Sequence, residues 1–315
     1  MWPQPFFDAL RDARRVLVAG AGGGFDVYAG LPLAFALMDA GRTVHLASLS
    51  IVHLHGLDRD VWIEPGIAAV TAATGGPDDY FPERTLARWL ARHRLPDTVY
   101  AFPRTGVRPL RSAYRRLARR LGLDAIILVD GGTDLLLRGD EAALGTPVED
   151  ATSLAAVAGT PVPARLVASI GFGIDAYHGV NHVQVLENIA ALDRAGAFLG
   201  AFTVPSQSTV AARYRAAVAD AQAATPARPS LVNGQIAAAL TGAAGDVELA
   251  GRTPGMSLFV NPLMTMYFTF DLAGLAARHL YLDAIRDTDD LLDVSHRIDR
   301  FRDTVTPRPR RAYPH

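Results

Sequence analysis

The chain has no cysteine and no lysine, so all 31 of its basic residues are arginine. Without cysteine there is no thiolate nucleophile, no disulfide and no thiolate metal site. Without lysine no amine can form a Schiff base with a carbonyl substrate or with pyridoxal phosphate. A Walker-type loop, whose lysine sits on the phosphates, is excluded for the same reason. A GC-rich coding bias accounts for the lysine deficit, and the exclusions hold under that explanation too. Charge imbalance is also lacking. The formal net charge is −1, which gives neither nucleic acid nor a membrane surface an electrostatic reason to bind. No apolar run approaches the ~18 residues of a membrane span. The opening MWPQPFFDALRDARR lacks the basic-then-apolar order of a signal peptide. The expected location is the cytoplasm. The expected partners are a small-molecule substrate and, for a sheet domain of this size, a second copy in a homodimer.

What is present is a globular composition, 50% hydrophobic and 20% charged over 315 residues. Short apolar runs alternate with helical patterns, the mark of βαβ units. Strands are predicted at residues 15–19, 43–50, 98–102, 125–129, 165–170 and 197–204, with 264–270 as a strand or buried segment. Helices are predicted at 31–40, 110–121, 182–195, 208–224, 231–240 and 287–305. The expectation is an α/β fold with an open, mostly parallel twisted sheet and helices on both faces. One large domain would cover residues 1–306, and 307–315 would be a flexible tail. Arg111, Arg115, Arg116, Arg119 and Arg120 spread over a helix as a solvated face.

Three glycine-rich turns follow predicted strands, at the carboxyl ends where open parallel sheets bind ligands. The first is Gly20-Ala21-Gly22-Gly23-Gly24-Phe25-Asp26. Glycines let backbone approach a ligand without a Cβ in the way, so Gly22, Gly23, Gly24 and Asp26 are candidates for holding an anionic or polar group. A purely structural turn is the alternative. The segment is a poor dinucleotide fingerprint, because Phe25 stands where GxGxxG needs its third glycine and no acid ends the second strand to hold a ribose. Nicotinamide and flavin are not expected as cofactors.

The second turn, Asp130-Gly131-Gly132-Thr133-Asp134, directly follows the apolar run AIILV. With Asp140, Glu141, Glu149 and Asp150 it makes six acids in 21 residues. Such a group can bind a hard divalent cation, act as general acid or base, or hydrogen-bond a polar substrate. Asp130 and Asp134 are the catalytic candidates. Gly131, Gly132, Thr133, Asp140 and Glu141 are the substrate-binding candidates. Asp134 and Asp150 also fit turn and cap roles.

The third turn runs from Gly171 to His182. His178 and His182 are candidates for catalytic proton transfer, and Asn181 for substrate contact. On a helix the two histidines would share one face at a zinc-type spacing, but Gly179 stands where HExxH has its glutamate. No metal ligand set is fixed by this pattern. His53, His55, Arg104, Arg108 and Asn261 follow other strands with weaker claims. There is no GxSxG elbow.

Three segments, GAGGGFDVYAGLPLA, VDGGTDLLLRGDEAALGTPVEDATSLAAV and GFGIDAYHGVNH, resemble the family called domain of unknown function 1152. The resemblance extends over most of the chain to about residue 205. It implies a Rossmann-like α/β fold and assigns no reaction. It also implies GGGGD where this chain reads GGGFD, so that Phe25 narrows the pocket or changes its ligand. Together the residues point to an enzyme acting on a small polar metabolite by hydrolysis, elimination or group transfer. A nucleotide-dependent oxidoreductase and a non-catalytic metabolite-binding protein are the alternatives.

Overall fold

The computed structural model describes residues 4–248 and 257–313. Its strands are β1 (Arg15–Gly23), β2 (Thr43–Leu49), β3 (Trp62–Glu64), β4 (Ile67–Val70), β5 (Val99–Phe102) and β6 (Ala125–Asp130). They continue as β7 (Ala164–Ile170), β8 (Phe198–Thr203), β9 (Gly245–Glu248), β10 (Ser257–Val260) and β11 (Met266–Asp271). Nine of them form one sheet in the order β3-β4-β5-β2-β1-β6-β7-β11-β8, and β9 and β10 pair separately. The central run β5-β2-β1-β6-β7 is parallel throughout. Antiparallel strands flank it: β4 and β3 on one side, β11 on the other. The fold is Rossmann-like α/β in one domain.

Alternation along the strands divides the core between two faces. Leu17, Ala19, Ile126 and Leu128 pack against helices Val107–Leu121, Pro147–Ala158 and His182–Arg194. Val16, Val18, Ile127 and Val129 point the other way, toward helices Leu31–Asp39, Pro82–Arg92 and Thr209–Ala224. Every residue of β6 is buried, as expected of a central strand covered on both sides. Among the described residues, no helix is long and apolar enough to cross a membrane.

Several local expectations change. β1 runs on to Gly23, so most of the first glycine turn is the irregular end of a strand. Its register against β2 shifts between Ala19 and Gly23. The chain turns at Gly24, where φ is +67°. Gly30 then separates the short helix Asp26–Ala29 from Leu31–Asp39, and a Cβ there would stand 2.5 Å from Val18 Cγ1. The edge hairpin of β3 and β4 was not predicted, since three- and four-residue strands leave too short a pattern, and the 11-residue helix Pro82–Arg92 was not predicted either.

Residues 307–313, in the segment expected as a tail, make defined contacts with the rest of the chain. Arg308 bonds Asp140 at 3.0 Å, Glu141 at 3.1 Å and Glu187 at 2.7 Å. Arg310 donates to the Gly179 carbonyl at 2.9 Å. Tyr313 packs its ring 5.4 Å from that of His182. Residues 307–313 therefore lie strapped across the turns that follow β6 and β7.

Candidate functional site

Strand order reverses between β1 and β6: the chain moves outward from β1 to β2 and β5, then returns to lay β6 on β1's other side. At such a switch point the connections diverge, leaving a crevice beyond the strand ends. The acids gather there. Asp26 lies just past β1 and Asp130 ends β6. Asp134 opens the turn Asp134–Leu136, Asp150 stands in the first turn of Pro147–Ala158, and Asp175 lies in the turn Ile174–His178 after β7. Asp130, Asp134, Asp150 and Asp175 are 2–6% exposed, and Asp26 is half-buried.

Neutral donors hold four of these carboxylates. Asp26 Oδ2 accepts the Gly22 N–H at 2.7 Å, and Asp130 Oδ2 accepts the Ser169 hydroxyl at 3.2 Å. Asp134 Oδ2 accepts the Thr146 N–H and hydroxyl at 2.8 and 2.9 Å, and Asp175 Oδ2 accepts the Thr133 N–H at 2.6 Å. Asp150 Oδ1 is buried with no hydrogen-bond partner among the described residues. None of the five forms an ion pair among the described residues.

Burial without a counter-ion penalises the charged form. It pushes the Asp26 carboxyl up to about 7, with the charges of Asp134 and Glu149 adding and the Gly22 N–H opposing. Asp130, Asp150 and Asp175 are raised well above the usual carboxylate range, first by burial and then by Asp134. Asp134 is raised by burial too, against the pull of Thr146 and His178.

One oxygen each from Asp26, Asp130 and Asp150 lie within 4.8 Å of one another. A Cβ on Gly22 would stand 2.4 Å from Asp26 Oδ2 and 2.9 Å from Asp150 Oδ1, so only glycine leaves room between these two acids. Asp26 forms part of the wall of a cleft of about 810 Å³, a volume suited to a small molecule. Phe25, Ile51, Ile174 and Val232 give it apolar surface, and His178 and Arg228 give it polar surface. A second hollow, of about 340 Å³, is lined by Arg111, Arg115 and Arg286 and contains none of these carboxylates.

The expected site residues divide into two groups. Asp26, Asp130, Asp134 and His178 come together, His178 exposed on the cleft wall. Gly132 permits close packing, since a Cβ there would lie 2.6 Å from Asp175 Oδ2, while one on Gly131 would press on Val232 Cγ1 at 3.1 Å. Thr133 orients Asp175. Gly23 lines the cleft, but the Gly22 and Gly24 N–H groups bond Asp26 and the Leu49 carbonyl. They are not free to cradle an anion, and the acids around them would repel one.

The remainder leave the site. Asp140 pairs with Arg138 and Arg308. Glu141 accepts from the Arg138 and Gly139 N–H groups, Asn188 and Arg308. Asn181 caps helix His182–Arg194 through Gln184 and donates to the Arg311 carbonyl. These three residues anchor the strap. His182 is turned toward Tyr313. Gly179, at φ +84°, breaks the chain between the histidines, so they share no helix face and form no metal pair. The weaker candidates are also structural: Arg104 and Arg108 pair with Glu149 and Asp289, and His55 stacks on Trp62. Asn261 caps the turn Pro262–Thr265 and donates to the Phe172 carbonyl.

Asp150, Asp175, Arg228 and Glu83 complete the picture. A signal for Asp175 was in the sequence: β1, β6 and β7 are each followed by glycines and then an aspartate, in GGGFD, DGGTD and GFGID. Asp150 resembles any acid in a helix's first turn. Glu83 is fully buried in the first turn of Pro82–Arg92. Burial pushes its carboxyl up to about 7, and neither of its oxygens has a hydrogen-bond partner among the described residues.

No curated protein and no solved structure matches the chain. Residues 52–304 match the model of a family described as a protein of unknown function, DUF1152. That span starts after the first glycine motif, takes in the other two, and continues far past residue 205, where the motif resemblance ends. The chain belongs to the DUF1152 family.

Proposed function

We propose that this protein is an enzyme acting on a small polar metabolite by hydrolysis, elimination or group transfer. One observation carries the reading: five carboxylates with no ion pair among the described residues gather at the switch point of the sheet, and one of them, Asp26, opens into a cleft of about 810 Å³. A protein gains no stability by crowding Asp26, Asp130, Asp134, Asp150 and Asp175 without cations, and such groups cluster where chemistry requires them. The reacting part of the substrate faces Asp26, with Asp130 behind it. His178 stands across the cleft as the proton-transfer group. Phe25, Ile51 and Ile174 cover the less polar part, and Arg228, held over the Tyr80 ring at 5.8 Å, suits an anionic substituent. A nicotinamide or flavin dinucleotide is disfavoured, because its pyrophosphate would lie beside Asp26 and Asp150.

The test is turnover of a panel of hydroxylated, aminated and phosphorylated metabolites by purified protein, followed by mass spectrometry. Asp26→Asn should lower the rate by at least about 100-fold and His178→Gln by about 100-fold or less, both with an unchanged fold. A metabolite that binds the cleft but is never converted, with affinity indifferent to both substitutions, would leave a binding protein in place of an enzyme.

A further inference from the structure

The acids are packed more tightly than a proton-transfer site requires. Asp26, Asp130 and Asp150 come from three separate elements, the ends of β1 and β6 and the first turn of Pro147–Ala158, yet one oxygen of each lies within 4.8 Å of the other two. Oxygens that share one cation at about 2.3–2.6 Å sit no more than about 5.2 Å apart. Asp150 adds an independent sign. It is 4% exposed, and among the described residues its Oδ1 has neither a hydrogen bond nor a counter-ion. A buried oxygen in that state has lost its water and gained no partner. Gly22 is the third sign, since a Cβ there would enter the gap between Asp150 Oδ1 and Asp26 Oδ2.

We propose that Asp26, Asp130 and Asp150 hold one hard divalent cation beneath the cleft, with the Ser169 hydroxyl orienting Asp130 from behind. The donors are all carboxylate oxygens, which favours magnesium, manganese or calcium over zinc or copper. His178 lies on the cleft wall, outside the three-carboxylate set. A doubly charged ion offsets the repulsion among the acids, which form no ion pair with an arginine among the described residues. For its use in catalysis the cation rests on the enzymatic reading, to which it adds a positive partner for an anionic or carbonyl oxygen of the substrate. Its binding does not depend on that reading.

Manganese is the probe, because its free aqueous ion has a sharp electron paramagnetic resonance signal that is lost on binding. Protein stripped with EDTA should take up one Mn2+ per chain, with Mg2+ or Ca2+ in competition and a rise in melting temperature. Asp150→Asn should weaken binding at least about tenfold while melting in EDTA at or above the wild-type temperature. Gly22→Ala, which keeps all three acids and fills the gap, should weaken binding by a similar factor and serves if Asp150→Asn does not fold. The proposal is overturned if millimolar protein leaves the Mn2+ signal untouched, or if both variants bind as wild type does. Turnover in EDTA would remove the cation from the chemistry and leave the enzyme, whereas Mn2+ bound without turnover of any metabolite would remove the enzyme and leave the cation.

Discussion

Glu83 gives a quantitative check on how this protein treats buried charge. Its side chain is fully enclosed near Ser48 and Ser50 at the end of β2, and its carboxyl rises from 4.5 to about 7. The unfolded chain gives up this proton above 4.5, while the folded chain keeps it until about 7. The unfolded state therefore binds fewer protons in that window, and stability falls as pH rises through it. Above the folded value the loss is complete. The gap from 4.5 to about 7 corresponds to about 3 kcal/mol, at about 1.4 kcal/mol per pH unit. Glu83→Gln keeps the shape and removes the titration. Chemical unfolding of both proteins at pH 5 and pH 8.5 isolates the effect, because every other buried acid titrates alike in the two and cancels in the difference. The variant should gain about 2–3 kcal/mol on wild type between those two values. A difference that does not change with pH would mean that Glu83 is already charged and stabilised in the fold, and the reasoning would fail.

Three further outcomes are expected. Arg308→Ala frees the strap and leaves Glu141, which is fully buried, with one donor fewer. A loss of about 1–2 kcal/mol should follow after allowing for the partial exposure of the arginine, and proteases should cut near residue 308 much faster; an unchanged cleavage rate would refute the anchoring. His279 bonds the Leu135 carbonyl through Nε2 at 2.9 Å, and burial pushes its pKa down to about 4. Its ring should resist protonation in imidazole NMR spectra until about pH 4, and stability contributed by this group should fall as pH drops from about 6.5 to about 4; a midpoint near 6.5 would contradict its enclosure. Gly132→Ala puts a Cβ 2.6 Å from Asp175 Oδ2 and should lower stability by about 1–3 kcal/mol, read as a lower unfolding midpoint.

The sheet and the place of the site were legible because each depended on a local pattern. AIILV reads as a strand covered on both faces, and Asp130 and Asp134 follow it at the point where parallel sheets bind ligands. What could not be read was which acids share a space. Asp140 and Glu141 lie close to Asp134 in sequence, yet they turn away to meet Arg138 and Arg308. Asp175, 41 positions beyond Asp134, turns in. That sorting depends on side-chain direction after irregular turns and on a tail contact with Glu187 across 121 residues, neither of which has a periodic signature. The histidine pair failed for a related reason: helical spacing has meaning only inside a helix, and Gly179 interrupts the chain there.

The placement of β11 has a consequence for the order of folding. β8 is paired to the sheet through β11, and the Thr269 hydroxyl reaches a Gly200 carbonyl 69 residues away in sequence. Until residues 266–271 dock, β7 presents an unpaired edge and β8 has no partner strand in the sheet. An open edge of that kind recruits strands from other chains, and closing it requires a long loop to find its ends, which is slow. The strands that carry the acids, β6 with its neighbours β1 and β7, pair with one another without β11. Aggregation during refolding should therefore begin at the β7 edge, and a substitution that weakens β11 should lower the yield of native protein more than the affinity of the protein that does fold.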